Sequence, residues 1–461
     1  MQETAVQTID GLEAVVSGIF SPLGKLPYKQ VLPRVQSEVS LSLKRQVEDL
    51  TEAELKGIIS RHLRDHQIKC DLTNSAAELT NYIYHDMAGL SFISREKVLE
   101  QDGFEELDIN AWDDVEIIIR GKREKTDYRF LSPEHASDIM LKILRKTQTA
   151  FDVAEPGATA DLGSGMRITA LRAPLVDEDV SVCASIRKVD MTAVGRKKLV
   201  GATLTEQMMT FLELCLTHGV SIAFSGETGA GKTSLAGCLL SHAANTLRIY
   251  TIEEGSREWD FVQRDENGKV TNSVIHTRTR PNKKDSTQNI GQEELVKYAL
   301  RFNPDIIAPG EIRGREAFEV MGVSNTGHTV MTTVHSNGTL DTPERIITLA
   351  KKAYDMTDTT LFSMCARAFP ILVHMEQNAD RQRRVTEIRE VTGCVHGEIQ
   401  SQLLFEFDIQ DNVYEGDRCI RTEGSFRQLA PISDNLAKQM LKKGARRSEL
   451  QQFLEVEHGQ A

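Results

Sequence analysis

The spacing of apolar positions changes character along this chain, and each change predicts a different kind of structure. Residues 1 to about 45 are poorly patterned and punctuated by Pro22, Pro27 and Pro33, which predicts an extended or partly disordered lead-in. From about Leu41 to Leu99 the period is helical. Thr51-Glu52-Ala53-Glu54 is a capped helix start with Leu55, Ile58, Ile59 and Leu63 on one face. Asn74 or Ser75 starts a second helix carrying Leu79, Ile83 and Met87. This region reads as a packing element or as a docking module for a partner. Near Asp114 the period shortens. Val115 to Ile119 predicts a strand with Tyr128-Arg129-Phe130 as its partner, followed by a helix over Glu134 to Lys146. Three short strands come next, at Ala158 to Leu162, Met166 to Leu171 and Val180 to Ile186. Gly163-Ser164-Gly165 is the turn between the first two, and a linker spans 189 to 203.

Beyond the linker, strands alternate with helices. Val220 to Phe224, Arg248 to Ile252, Ser273 to Thr277, Asp305 to Ala308 and Val330 to Val334 read as strands, with helices such as Gln292 to Leu300 and Arg315 to Ser324 between them. This order predicts an α/β domain with a largely parallel sheet. Residues from about 391 onward look less regular, and Leu436 to Phe453 is helical and basic at Lys442, Lys443, Arg446 and Arg447. The resulting division is a lead-in and helical region (1–95), a small α+β domain (96–195), an α/β nucleotide domain (196–400) and a C-terminal extension (401–461).

Composition narrows the classes without choosing among them. The 461 residues are 40% hydrophobic and 26% charged, which suits a globular chain of two or three domains. A formal net charge of −12 argues against nucleic acid as the main partner. Seven cysteines with no C-x-x-C pair give no structural zinc site and fit a reducing cytosol. No apolar run reaches the ~18 residues of a membrane span, and the apolar stretch Leu12 to Phe20 follows Glu3 and Asp10, where a signal peptide needs positive charge. A cytoplasmic protein, at most peripherally bound to a membrane, is expected.

The chemistry lies in one stretch. Gly226-Glu227-Thr228-Gly229-Ala230-Gly231-Lys232-Thr233, with Ser234 after it, fits G-x-x-x-x-G-K-[ST] between a strand and a helix. Glycines let backbone N–H groups turn inward around phosphates, and the helix N-terminus adds positive partial charge. Lys232 is expected on the β- and γ-phosphates and the Thr233 hydroxyl on Mg²⁺. A carboxylate near that ion is needed, and Glu311 closes the apolar run Asp305 to Ala308 through Pro309 and Gly310. Glu253 and Glu254 follow another strand. In a parallel sheet strand C-termini share one edge, so Glu253 is expected to polarise water, with Glu254 in support. His328 and His335 bracket one strand and suggest coupling of nucleotide state to movement.

Together these residues resemble the secretion-superfamily traffic ATPases, the motors of type II secretion, type IV pili, Tad/Flp pili and type IV secretion. The glycine loop resembles their Walker A box and Arg248 to Glu254 their acidic box. Leu300 to Gly314 resembles their Walker B region, and Asn325 to His335 their histidine box. Thr279-Arg280-Pro281 and the flank from Arg384 to Gly393 resemble the Tad/Flp (CpaF-like) branch. The resemblance implies a RecA-like ATPase domain, ATP with Mg²⁺, a homo-hexamer, and an inner-membrane platform protein as partner. It also implies that Arg167 and Arg187, in Gly165 to Thr169 and Ser185 to Lys188, reach the γ-phosphate, and that Arg280 acts across a subunit boundary. Glu254 stands where the family often has Asp, and Pro309 where a small or apolar residue is usual. A nucleotide-gated assembly protein with negligible hydrolysis, a type IV secretion or conjugation ATPase, and a nucleic-acid motor are the alternatives.

Overall fold

The computed structural model describes residues 25–43, 50–147, 149–163, 165–188, 194–254, 257–280 and 289–456. The apolar stretch Leu12 to Phe20, Ser164 of the expected turn, the linker's first residues (189–193) and Pro281 lie outside them. The chain divides into two compact units, residues 1–189 and 190–461.

The first unit opens with helices α1 (Tyr28–Leu43), α2 (Glu52–Asp65) and α3 (Ala76–Met87). Helix α1 corrects the expected lead-in. Pro33 sits inside it, where a proline costs ~3 kcal/mol. Burial of Val31, Leu32, Val35 and Val39 with Ile59, Leu63 and Ile83 offsets that cost. The predicted start of α2 is a full capping box between Thr51 and Glu54, and Ser75 caps α3.

A six-stranded antiparallel sheet follows, in the order β3-β2-β1-β6-β5-β4. Its strands are β1 (Phe104–Ala111), β2 (Asp114–Ile119), β3 (Lys122–Lys125), β4 (Gly157–Gly163), β5 (Met166–Arg172) and β6 (Val182–Lys188). The partners of β2 are β1 and β3; Tyr128-Arg129-Phe130 is not a strand, and Phe130 is instead buried in the core. One face packs on α4 (Pro133–Arg145), through Ala136, Ile139, Met140, Ile143 and Leu144. Leu107, Ile186, Ile168 and Ala160 form a buried row across β1, β6, β5 and β4. The next residue on each strand turns to the opposite face, and there the row reads Glu106, Arg187, Arg167, Asp161.

The second unit is built on a nine-stranded mixed sheet, ordered β15-β14-β13-β12-β7-β11-β10-β8-β9. Strands β7 (Ile222–Gly226), β8 (Ile249–Glu253), β9 (Val274–Arg278), β10 (Ile306–Pro309), β11 (Thr329–Val334) and β12 (Ile371–Gln377) pair in parallel. Strands β13 (Arg383–Val395), β14 (Glu398–Glu415) and β15 (Arg418–Gln428) continue from β12 as an antiparallel wing. The parallel sheet is therefore only part of the architecture, and the chain beyond 391 is long strand rather than irregular; β14 runs through position 400. Helices cover the parallel part on both faces. On one side α5 (Glu206–Thr217), α6 (Lys232–Ala243), α11 (Asp434–Lys442) and α12 (Arg447–Leu454) share a core with Phe224 and Met331. On the other, α7 (Gln292–Ala299), α8 (Ala317–Asn325), α9 (Asp341–Ala350) and α10 (Asp358–Ala368) pack on Ala223, Tyr250 and Val330. Strands buried on both faces place the sheet's chemistry at its ends. Among the described residues no helix is long and apolar enough to cross a membrane.

Candidate functional site

Strand β7 runs directly into the glycine loop, and α6 starts at Lys232 with Gly231 as its N-cap in the left-handed region (φ 96°). Gly226 is fixed by its neighbour as well as by its φ of 141°: a Cβ there would lie 2.1 Å from the Met375 carbonyl oxygen on β12. Lys232 is buried and folds back over the loop. Its Nζ donates to the carbonyl oxygens of Gly226 (2.8 Å) and Glu227 (2.7 Å) and lies 3.4 Å from His335 Nδ1. Burial pulls its ammonium pKa down, with Glu311 acting in the opposite direction.

The ends of β10 and β11 bring the other groups. Gly310 donates to the Ile252 carbonyl, Ile312 donates to Thr333, and the Thr333 hydroxyl donates to the Gly310 carbonyl, so the turn carrying Glu311 is tied on both sides. His335 Nδ1 lies 3.1 Å from Gly226 O and Nε2 lies 3.1 Å from Glu311 Oε1. That second approach is close enough for an ion pair but makes no aligned hydrogen bond. The buried Oε1 of Glu311 thus has no hydrogen-bond partner among the described residues. The other oxygen, Oε2, accepts from Arg313 (2.7 Å), whose second arm donates to Glu254 Oε2 (3.1 Å). Glu254 therefore reaches Glu311 through Arg313, a link the sequence did not indicate.

Glu253 has a different setting. It ends β8 and is 4% exposed. Its Oε2 accepts from the backbone N–H groups of Glu258 and Trp259 (the latter 3.0 Å), and its Cγ would touch a Cβ placed on Gly310. Burial pushes its carboxyl up to about 7, against the lowering effect of those two N–H groups. Beneath it lies a relay. Phe261 N–H donates to His276 Nε2 (3.3 Å), which places the ring proton on Nδ1, facing Thr251 Oγ1 at 2.9 Å; that hydroxyl in turn points to Glu253 Oε1 (3.5 Å). Burial holds His276 neutral, its pKa down to about 4. Trp259 closes the pocket: its indole N–H donates to the Thr233 carbonyl (3.2 Å) and its ring lies against Gly237.

The structure thus gathers Gly226 to Ser234, Glu253, Glu311 and His335 at one sheet edge. His328 is not among them. It sits at the opposite end of the six-residue strand β11, with Nδ1 3.3 Å from the Pro304 carbonyl. Arg280 is exposed beyond β9, the edge strand, and pairs through its backbone with Ile290. Arg167 and Arg187 belong to the first unit, where they are direct cross-strand partners. Sequence reasoning missed Arg313, Thr251, His276 and Trp259 as supports. Arg313 was within reach, two residues past Glu311; the others are assembled only by the fold.

A family model described as "Type II/IV secretion system protein" matches residues 91–457. The chain belongs to that family. Among curated relatives of this family member, the "Putative conjugal transfer protein" of Mycobacterium tuberculosis (strain CDC 1551 / Oshkosh) is 24% identical over 68% of the chain and 88% of the relative. The conjugal transfer protein TrbB of Rhizobium radiobacter is 24% identical over 59% of the chain and 79% of TrbB. Among solved structures, the Legionella pneumophila ATPase DotB superposes with a TM-score of 0.47 at 17% identity, covering 65% of the chain and 80% of DotB.

Proposed function

We propose that this member of the type II/IV secretion system family is an ATP-hydrolysing motor that works as a homo-hexamer on an inner-membrane platform protein, at the cytoplasmic face of that membrane. The observation that carries the reading is the buried, hydrogen-bond-free Oε1 of Glu311 beside the glycine loop and Lys232. A hard carboxylate oxygen that makes no hydrogen bond suits Mg²⁺, which takes few protein ligands and keeps its waters and substrate phosphates. ATP with Mg²⁺ supplies the scissile phosphoanhydride and neutralises its charge. Lys232 would pair with the phosphates in place of the loop carbonyls, Thr233 and Glu311 would hold the ion, and Glu253 would orient a water and accept its proton. His335 stays between Gly226 and Glu311, where it reads their separation. Arg167, Arg187 and Arg280 supply positive charge to the γ-phosphate, the last from a neighbouring subunit.

The Tad/Flp pilus branch is the assignment favoured by the residues around Arg280 and Arg384. A type IV secretion or conjugation role is the second reading, favoured by the names of the two curated relatives. The deciding experiment is phosphate release from ATP and Mg²⁺ against protein concentration, with Lys232→Ala in parallel. A specific rate that climbs with concentration and vanishes in the variant supports shared sites. A flat rate per subunit removes Arg280 from the mechanism, and activity equal to the variant's moves the reading to nucleotide-gated assembly. Stimulation by DNA would revive the nucleic-acid motor reading.

A further inference from the structure

The glycine loop has a second flank that the chemistry above does not use. Strand β12 lies beside β7 on the side away from β11 and β10, which carry His335 and Glu311. At its far end β12 turns through residues 378–382 into β13, whose first residue is Arg383. The stem of Arg383 lies on the loop: a Cβ on Gly231 would meet Arg383 Cδ at 3.2 Å and Cβ at 3.7 Å. Arg383 is exposed, and among the described residues no hydrogen bond or ion pair of its guanidinium is recorded.

The next residue shows why it is held there. Arg384 points to the other side of the strand, where it is half-buried over the Phe407 ring and forms a forked pair with Asp380 (2.9 and 2.7 Å). Asp380 also accepts from the backbone of Gln382 and Thr422, which ties the turn to β15, and Arg384 holds its carboxyl well below the usual carboxylate range. Asn378 and Arg381 close the turn through backbone bonds, Arg381 in the left-handed region (φ 63°). One arginine is neutralised and locks the hairpin. The other is carried by that locked hairpin to the loop with its charge uncompensated among the described residues.

We infer that Arg383 contacts the nucleoside end of the bound nucleotide, its guanidinium plane stacking on the purine. This rests on the nucleotide-binding reading above. The carboxylates and His335 occupy one flank of the loop, so the terminal phosphate points that way and the base leaves over the other. There a planar, weakly hydrated cation fits an aromatic ring better than an ammonium does.

The test is calorimetric titration of the full-length protein with ADP and, separately, with inorganic tripolyphosphate, both with Mg²⁺. Arg383→Ala, Arg383→Lys and Lys232→Ala are compared with the wild type. Stacking on the base predicts about tenfold weaker ADP binding in Arg383→Ala, little recovery in Arg383→Lys, unchanged tripolyphosphate binding, and a raised KM for ATP at constant kcat. Equal weakening of ADP and tripolyphosphate would make Arg383 a phosphate ligand and overturn the inference. So would unaltered ADP binding in Arg383→Ala while Lys232→Ala loses it. If the wild type binds ADP no better than Lys232→Ala, the nucleotide reading falls and takes this inference with it.

Discussion

The two sheets of this protein expose charge in opposite ways. In the first unit one face packs on α4 and the other carries Glu106, Arg187, Arg167 and Asp161 in register across four strands. In the second unit the central strands β7, β8 and β11 are buried along their whole length, and in these three charge appears only where the strand stops. A sheet covered on one side can offer a surface; a sheet covered on both can offer only an edge. Lys232, Glu253, Glu311 and His335 are edge groups, fixed by the turns that carry them. Arg167 and Arg187 are face groups, side by side at about 5 Å between backbones. Like charges so placed disfavour folding, although an acidic residue lies on either side of the pair.

The largest effect sharpens the edge half of this contrast. Lys232→Ala and Glu311→Gln should each lower ATP hydrolysis by about 10²–10³-fold with folding intact, read by phosphate release and thermal unfolding. A variant that unfolds instead would mean the edge is structural. Next come the face residues. Arg167→Ala and Arg187→Ala should each lower the rate by about 10²-fold, the weak end of what a lost transition-state contact costs. Their Tm should hold, since each substitution removes one of two facing like charges together with its attraction to the flanking acidic residue. A falling Tm with an unchanged rate would make the row a structural ladder.

Glu253 gives a smaller effect that depends on pH. Its carboxyl is pushed up to about 7, so it loses its proton as pH rises through that value. A water-orienting role therefore predicts kcat rising with pH around a midpoint near 7, and a flat profile in Glu253→Gln. Stability runs the other way. The folded protein keeps this proton longer than the unfolded chain, so stability declines between the ordinary glutamate range and about pH 7. Glu253→Gln should accordingly raise Tm by a few degrees at pH 8 and leave it unchanged at pH 4. The smallest effect belongs to β3. Arg123 and Lys125 pair with Asp108, Asp114 and Glu116 on an exposed edge, and Arg123→Ala should barely move Tm, because exposed ion pairs are screened by solvent.

What the sequence disclosed follows the same division. Strands buried on both faces appear as continuous apolar runs, so β7, β8, β10 and β11 were found within a residue or two. Strands whose partners are polar carry little such signal. In β3 (Lys-Arg-Glu-Lys) there is no apolar position at all; the strand pairs with β2 through the backbone, and Arg123 and Lys125 face the acidic residues of β1 and β2. In β1 the apolar residues Phe104, Leu107 and Ile109 are interrupted by a register shift, which hides the alternation. The wing of β13 to β15 is long but mostly half-exposed, so it read as irregular. Of the site, the glycine loop, Glu253, Glu311 and His335 were legible from motif and strand ends. Gly226 looked like a phosphate glycine alone, although the Met375 carbonyl requires it as well. Arg383 had no signal, since only the β12–β13 hairpin brings it to Gly231.

The bond from Trp259 to the Thr233 carbonyl has an optical consequence. The chain holds two tryptophans, Trp112 and Trp259, and only Trp259 belongs to the second unit. With Trp112 replaced by phenylalanine, the remaining indole is an intrinsic fluorophore seated on the first turn of α6, one hydrogen bond from the residue expected to face the metal ion. Its emission would then report occupancy of the glycine loop without any added dye, and stopped-flow mixing would resolve filling of the site from the slower turnover that comes after.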